Sequence, residues 1–179
     1  MGQISIDVDD DGKIRAAYEN ASINSSIFRN LVSSIESDPN IGSVYIRYSP
    51  EPIQWSMVGL ADRARSPAAT RRSAENDYIV LINSDGMMMP VDEGSWLSGW
   101  RDLIGDPEYV PMTYEGNIAH ELFHIADGHF GQTIFDEQAA VRFANSVREQ
   151  LNQPQRATVM GSTIHNLRSN ECFLPSTPF

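Results

Sequence analysis

Two histidines and a glutamate define the chemistry open to this chain. The run Asn117-Ile118-Ala119-His120-Glu121-Leu122-Phe123-His124-Ile125-Ala126-Asp127-Gly128 contains the pattern H-E-x-x-H. On a helix, side chains four residues apart share a face about one turn apart, so both imidazoles can converge on one metal ion. Glu121, beside the first histidine, is then positioned to take a proton from a water that the metal activates. A lone buried histidine is more often a satisfied core residue. Two histidines and a glutamate on a single turn are costly to bury without a ligand, and that weighs for the metal.

A catalytic zinc uses three protein ligands and keeps a fourth position for water. His120 and His124 supply two. The metzincin solution, H-E-x-x-H-x-x-G-x-x-H, fails here: Asp127 occupies the glycine position, Phe130 that of the last histidine, and His129 is one residue off. The gluzincin solution takes a Glu from a following helix. Glu137 is the favoured candidate, because Gly128 and Gly131 let the chain reverse between two antiparallel helices. Its neighbour Asp136 competes for the role but also reads as a helix N-cap, and His165 is a more distant alternative. Asp127 could fix an imidazole tautomer or be a plain surface charge. Hydrolysis of an amide also requires a donor to the developing oxyanion. Tyr109, Tyr114, Arg156 and His165 are the available types.

The positioning elements follow from periodicity. Ile118, Leu122 and Ile125 recur at helical spacing, with Thr113 as N-cap, Glu115 in the first turn and Gly128 as the stop. A second helix is expected over 136–151, with Ala140, Val141, Ala144, Val147 and Leu151 inward and Pro154 following. Upstream, residues 3–8 alternate and lead through Asp9-Asp10-Asp11-Gly12 into 13–18, a hairpin pattern. The same aspartates imitate half of an EF-hand, but Tyr18 stands where a bidentate Glu is needed. Residues 25–37 read as a helix and 43–48 as a strand. Residues 50–77 read as a long loop with a short helix near Met57–Asp62, and 78–83 as a buried strand. Met87–Val91 reads as an edge strand packing its methionines inward, and Trp96–Leu103 as a short helix. The fold class is α+β and zincin-like, a small mixed or antiparallel sheet followed by the active-site helix and a C-terminal helix.

Composition limits the partners. One domain spanning 1–179 is expected: 1–110 mainly strands with one helix and a long loop, 111–160 the catalytic helices, 161–179 a tail. Hydrophobic content of 41% and charged content of 21% are those of a soluble globular chain. A net charge of −11 argues against nucleic-acid binding, and the cluster Arg63, Arg65, Arg71 and Arg72, without interleaved aromatics, reads as a solvated loop. No apolar run reaches transmembrane length, so no stable membrane association is expected. The N-terminus lacks the basic and apolar regions of a Sec signal and fails the myristoylation pattern at Ile6. Cys172 is the single cysteine, which excludes an internal disulfide.

The run 118–128, the Asp136-Glu137 pair and Asn145-Ser146-Val147-Arg148-Glu149-Gln150-Leu151, continued by Pro154 and Arg156, resemble the NleD-type effector metallopeptidases. That family pattern reads H-E-L-x-H-A-x-x-G, an acidic pair, then N-x-x-R-x-E-L-x-x-P-x-R, and the resemblance covers roughly residues 110–160. Where the family usually has a Tyr three residues after the last Arg, this chain has Val159. The resemblance implies a zinc endopeptidase acting on a protein substrate. It further implies delivery into a target cell, such as host cytoplasm, by a non-Sec bacterial secretion machine, as effector or toxin. A host signalling kinase is a substrate on family resemblance alone. Two other classes compete: a zincin-fold binding or regulatory module with little turnover, and a zinc hydrolase acting on a non-peptide amide.

Overall fold

The computed structural model describes residues 2–51, 53–55, 64–73, 76–90, 109–128, 134–156, 158–159 and 162–163. Its first strand, β1 (Gln3–Val8), is followed by a helix, α1 (Lys13–Asn24), rather than by the second arm of a hairpin. Asp11 and Gly12 do adopt the left-handed backbone of a tight turn, with φ of 49° and 80°. Beyond that turn, Ile14, Ala17 and Ala21 recur at helical spacing and all three are buried. The Asp9 carboxylate accepts from the N–H groups of Ile14 at 2.8 Å and Arg15 at 3.3 Å, satisfying donors that a helix start leaves unpaired. The acidic run serves a helix terminus.

A second helix, α2 (Ser26–Ser37), matches expectation, with the Ser25 hydroxyl accepting from the Phe28 N–H at 3.1 Å and Phe28, Leu31 and Ile35 buried. Together α1 and α2 form the crossover between β1 and β2 (Ser43–Tyr48), which pair in parallel. A parallel pair needs such a connection, which is why the N-terminal segment holds two helices where one was expected.

Residues 50–77, read as a loop, carry three strands. β3 (Ile53–Trp55) pairs antiparallel with β4 (Ala64–Ser66), and β5 (Ala68–Arg72) pairs antiparallel with β6 (Tyr78–Ile82). Arg71 and Arg72 are exposed as expected, but they stand on a strand. The sheet order is β1-β2-β6-β5, with β2 and β6 parallel, so the sheet is mixed. β7 (Met88–Pro90) pairs with β8 (Tyr109–Pro111), and Met89 is buried while Met88 is exposed. The helices expected at 57–62 and 96–103 lie outside the described residues. β9 (Thr158–Val159) and β10 (Ser162–Thr163) form a short antiparallel pair, partly within the segment read as tail.

The two remaining helices are α3 (Tyr114–Asp127) and α4 (Ile134–Gln150). α3 has the foreseen boundaries: the Thr113 hydroxyl accepts from the Gly116 N–H at 3.3 Å, and Gly128 ends it at φ 70°. α4 starts two residues before Asp136, so Asp136 is not its N-cap. Asp136 and Glu137 both lie in its first turn, favourable for the helix dipole. Ala140, Val141, Ala144 and Val147 are buried, and Leu151 is half-buried just beyond the helix end. One apolar core joins Val44, Ile46, Val80 and Ile82 of the sheet to Phe28, Leu31, Ile118, Leu122 and Phe143 of the helices. Among the described residues the fold is thus α+β, four helices on a small mixed sheet.

Near the start of α3, Gly116 faces the fully buried Arg148 of α4, and a Cβ at 116 would collide with the guanidinium. Because 116 meets 148 while 120 and 124 meet 137, the two helices run antiparallel. Burial, then the like charge of Arg156, lowers the Arg148 pKa to about 9, against the opposing pull of Glu115. Gly116→Ala should therefore destabilise the protein by about 1–2 kcal/mol in urea unfolding, the overpacking penalty exceeding the gain in helix propensity. Adding Arg148→Met should recover most of that loss. Full stability of the single variant would contradict this packing.

Candidate metal centre

His120 and His124 stand one turn apart on α3, their rings edge-to-face at 82° with centroids 4.7 Å apart. Their Nε2 atoms are 3.1 Å apart. From α4, Glu137 reaches both: Oε2 lies 3.3 Å from His120 Nε2 and Oε1 lies 3.3 Å from His124 Nε2. One ligand atom from each of the three residues can be chosen within 4.8 Å of the others. A charge-assisted hydrogen bond would be shorter, about 2.7–2.9 Å. The edge of a tetrahedron of imidazole and carboxylate ligands around an ion at about 2.0–2.2 Å is about 3.3–3.5 Å. Glu137 meets the two imidazoles with different oxygens, so the grouping is looser than one ideal set of ligand edges, but its residue types and spacing are compatible with a single divalent ion.

The trio sits mostly out of water, with side-chain exposures of 14% for His120, 5% for His124 and 16% for Glu137. Burial alone would raise the Glu137 carboxyl. The two imidazoles that face it, His120 and His124, outweigh burial and hold that carboxyl well below the ordinary carboxylate range. An ionised Glu137 is the form a cation requires.

Glu121 is buried, lies next to the trio and is not part of it. Its two oxygens face different ways. Oε1 lies 4.0 Å from His120 Nε2, while Oε2 accepts from the Thr70 hydroxyl of β5 at 2.7 Å. A carboxylate beside the ligands but not bound to the ion is free to accept a proton.

The grouping leaves out Asp136, which is half-buried on the same turn as Glu137. His129 and His165 lie outside the described residues. Among the residues able to stabilise an oxyanion, Tyr109 is 54% exposed on β8. The Tyr114 hydroxyl donates to Asp85 Oδ1 at 2.9 Å, and burial followed by that bond raises its pKa. Arg156 is held differently. Its backbone N–H donates to Asn145 Oδ1 at 2.8 Å, and its carbonyl accepts from Asn145 Nδ2 at 2.8 Å. Its Nε is buried without a hydrogen-bond partner. Burial lowers the Arg156 pKa, and the negative charge of Glu137 opposes the shift.

The sequence carries no signal for Thr70, and it marks Asn145 and Arg148 only as members of the resembled pattern, with no structural role. Thr70 stands in Ala-Ala-Thr-Arg-Arg, which lacks the apolar alternation that marks a half-buried strand. Asn145 and Arg148 sit at inward positions of α4, where polar residues are ordinarily read as the solvated face. The chain matches no known protein family, no curated protein and no solved structure.

Freshly purified protein should carry about one equivalent of a divalent transition metal by elemental analysis, as a three-ligand site predicts. Glu137→Ala should leave it clearly substoichiometric, and Asp136→Ala should not. Equal metal content in all three proteins would remove Glu137 from the ligand set.

Proposed function

We propose that this chain is a zinc-dependent endopeptidase with a zincin-like fold, hydrolysing a peptide bond in a protein substrate. The observation that carries the reading is the separation of roles around one turn of α3: three residues converge on a point while Glu121 lies beside them unligated. When bound by His120, His124 and Glu137, the metal supplies Lewis acidity, which polarises a carbonyl and acidifies water. Glu121 Oε1 takes the proton of the attacking water and returns it to the leaving amine. Arg156, whose guanidinium feels the negative charge of Glu137, is the favoured group for the negative charge that develops on the carbonyl oxygen. Val159 in place of the family's Tyr is consistent with an arginine filling that need.

β5 supports a polypeptide substrate. Among the described residues it pairs only with β6 and it packs beside α3, the position from which a sheet-edge strand could pair with an extended peptide. The similarity of residues 110–160 to the NleD-type effectors extends the proposal to action on a host protein after delivery by a non-Sec bacterial secretion system. The substrate surface remains that of a peptide chain; kinase specificity rests on the family resemblance alone.

Glu121→Ala should retain the metal and lose hydrolysis by about 10²–10⁴-fold. N-terminal proteomics of host-cell lysate should reveal new protein N-termini with the wild type and none with this variant. Metal-loaded wild type that creates none would leave a binding module as the better description. Arg156→Met should lower kcat by about 10²–10³-fold with metal content unchanged, the loss typical of one oxyanion donor. A change confined to KM would move Arg156 from charge stabilisation to substrate binding.

A further inference from the structure

We infer that Thr70 is the positioning residue for Glu121. Its hydroxyl holds Oε2 and thereby commits Oε1 to the metal side. The inference rests on the peptidase reading for its kinetic consequence, but the contact itself lies within the folded chain.

Three observations carry it. The Thr70 hydroxyl is 2.7 Å from Glu121 Oε2 and 3.4 Å from the Glu121 carbonyl oxygen, so its single proton goes to the nearer acceptor. The other carboxylate oxygen, Oε1, is the one turned toward His120. Thr70 also faces inward by strand register: it pairs with the buried Val80, and Ala68, two residues away on the same face, is buried too. β-Branching restricts its χ1, so the hydroxyl direction is set by the backbone of β5 and the donor is fixed before a substrate arrives.

The consequence is a difference between the two carboxylate oxygens. A glutamate with both oxygens free has three side-chain torsions to order, and it can also swing into the ion as a further ligand. With Oε2 engaged by Thr70, only Oε1 is available to a proton from the metal side. Rigid placement of a base by a neighbour outside the reacting groups is how an active site holds a productive geometry. The donor comes from β5, the last strand of the sheet among the described residues, so the sheet itself orients the base.

The test has two arms. In metal-free protein, a double-mutant cycle of Thr70→Val and Glu121→Ala is followed by urea unfolding. Thr70→Val should reduce the unfolding equilibrium constant's advantage for the folded state by about tenfold or more when Glu121 is present. It should be near neutral when Glu121 is absent. Equal effects in both backgrounds would overturn the contact. In zinc-loaded protein acting on a quenched-fluorescent peptide mixture, Thr70→Val should lower kcat by about ten- to a hundredfold, with KM and zinc content unchanged. Thr70→Ser, which keeps the hydroxyl, should restore most of the rate. Loss of zinc, a KM effect alone, or no rescue by serine would overturn the positioning role. Should the wild type itself fail to cleave, the peptidase reading falls, and the metal-free cycle still decides whether Thr70 holds Glu121.

Discussion

An ionised carboxylate withdrawn from water between two helices costs several kcal/mol unless opposite charge or strong donors meet it. Glu137 is withdrawn in this way, and His120 and His124 meet it from the facing helix. That requirement fixes the register in which α3 and α4 pack, since sliding either helix by one residue would strand the carboxylate. The surrounding contacts are compatible with this register. Phe123 stacks on Phe143 with ring centroids 5.0 Å apart, and Gly116 leaves room for the Arg148 guanidinium. Apolar packing glues the helices together, while the polar trio selects one arrangement among those that packing alone would permit.

The sheet contributes on a second side. β5 closes its antiparallel edge and brings one hydroxyl to the carboxylate beside the trio. Asn145 contributes from α4, where one amide grips both the N–H and the carbonyl of residue 156 and accepts from Arg148 at 3.1 Å. The His120–His124–Glu137 trio, the Glu121 carboxylate, the Thr70 hydroxyl and Arg156 thus come from α3, α4, β5 and the segment after α4. Each is anchored by regular structure or by a side-chain clamp rather than by a free loop.

What the sequence disclosed is what short-range periodicity encodes. H-E-x-x-H, Thr113, Gly128 and the apolar stripes of α2, α3 and α4 all act within a few residues of one another, so their meaning is local. The hairpin reading at the N-terminus failed because the partner of β1 is β2, some forty residues on, and alternation over 13–18 could not reveal that a crossover was required. β5 escaped notice for a related reason: its residues are small or charged, and only its pairing with β6 makes it a strand. The same blindness hid Thr70. Glu137 could be favoured from the reversal between helices, yet only the helix start at Ile134 determines which acidic residue of that turn reaches the histidines.

The sheet order separates the two ends of this architecture. β1 occupies one edge and β5 the other, three strand spacings or about 14 Å away. The N-terminal strand is therefore remote from the metal trio and from the edge beside it. The turn after β5 lies at the Gln3 end of the sheet, where Asn76 and Asp77 accept from the N–H groups of Gly42 and Ser43, and Ser43 is the register partner of Gln3. A purification tag or carrier module joined ahead of Gln3 would therefore leave the sheet at its β1 edge, on the opposite side from Thr70.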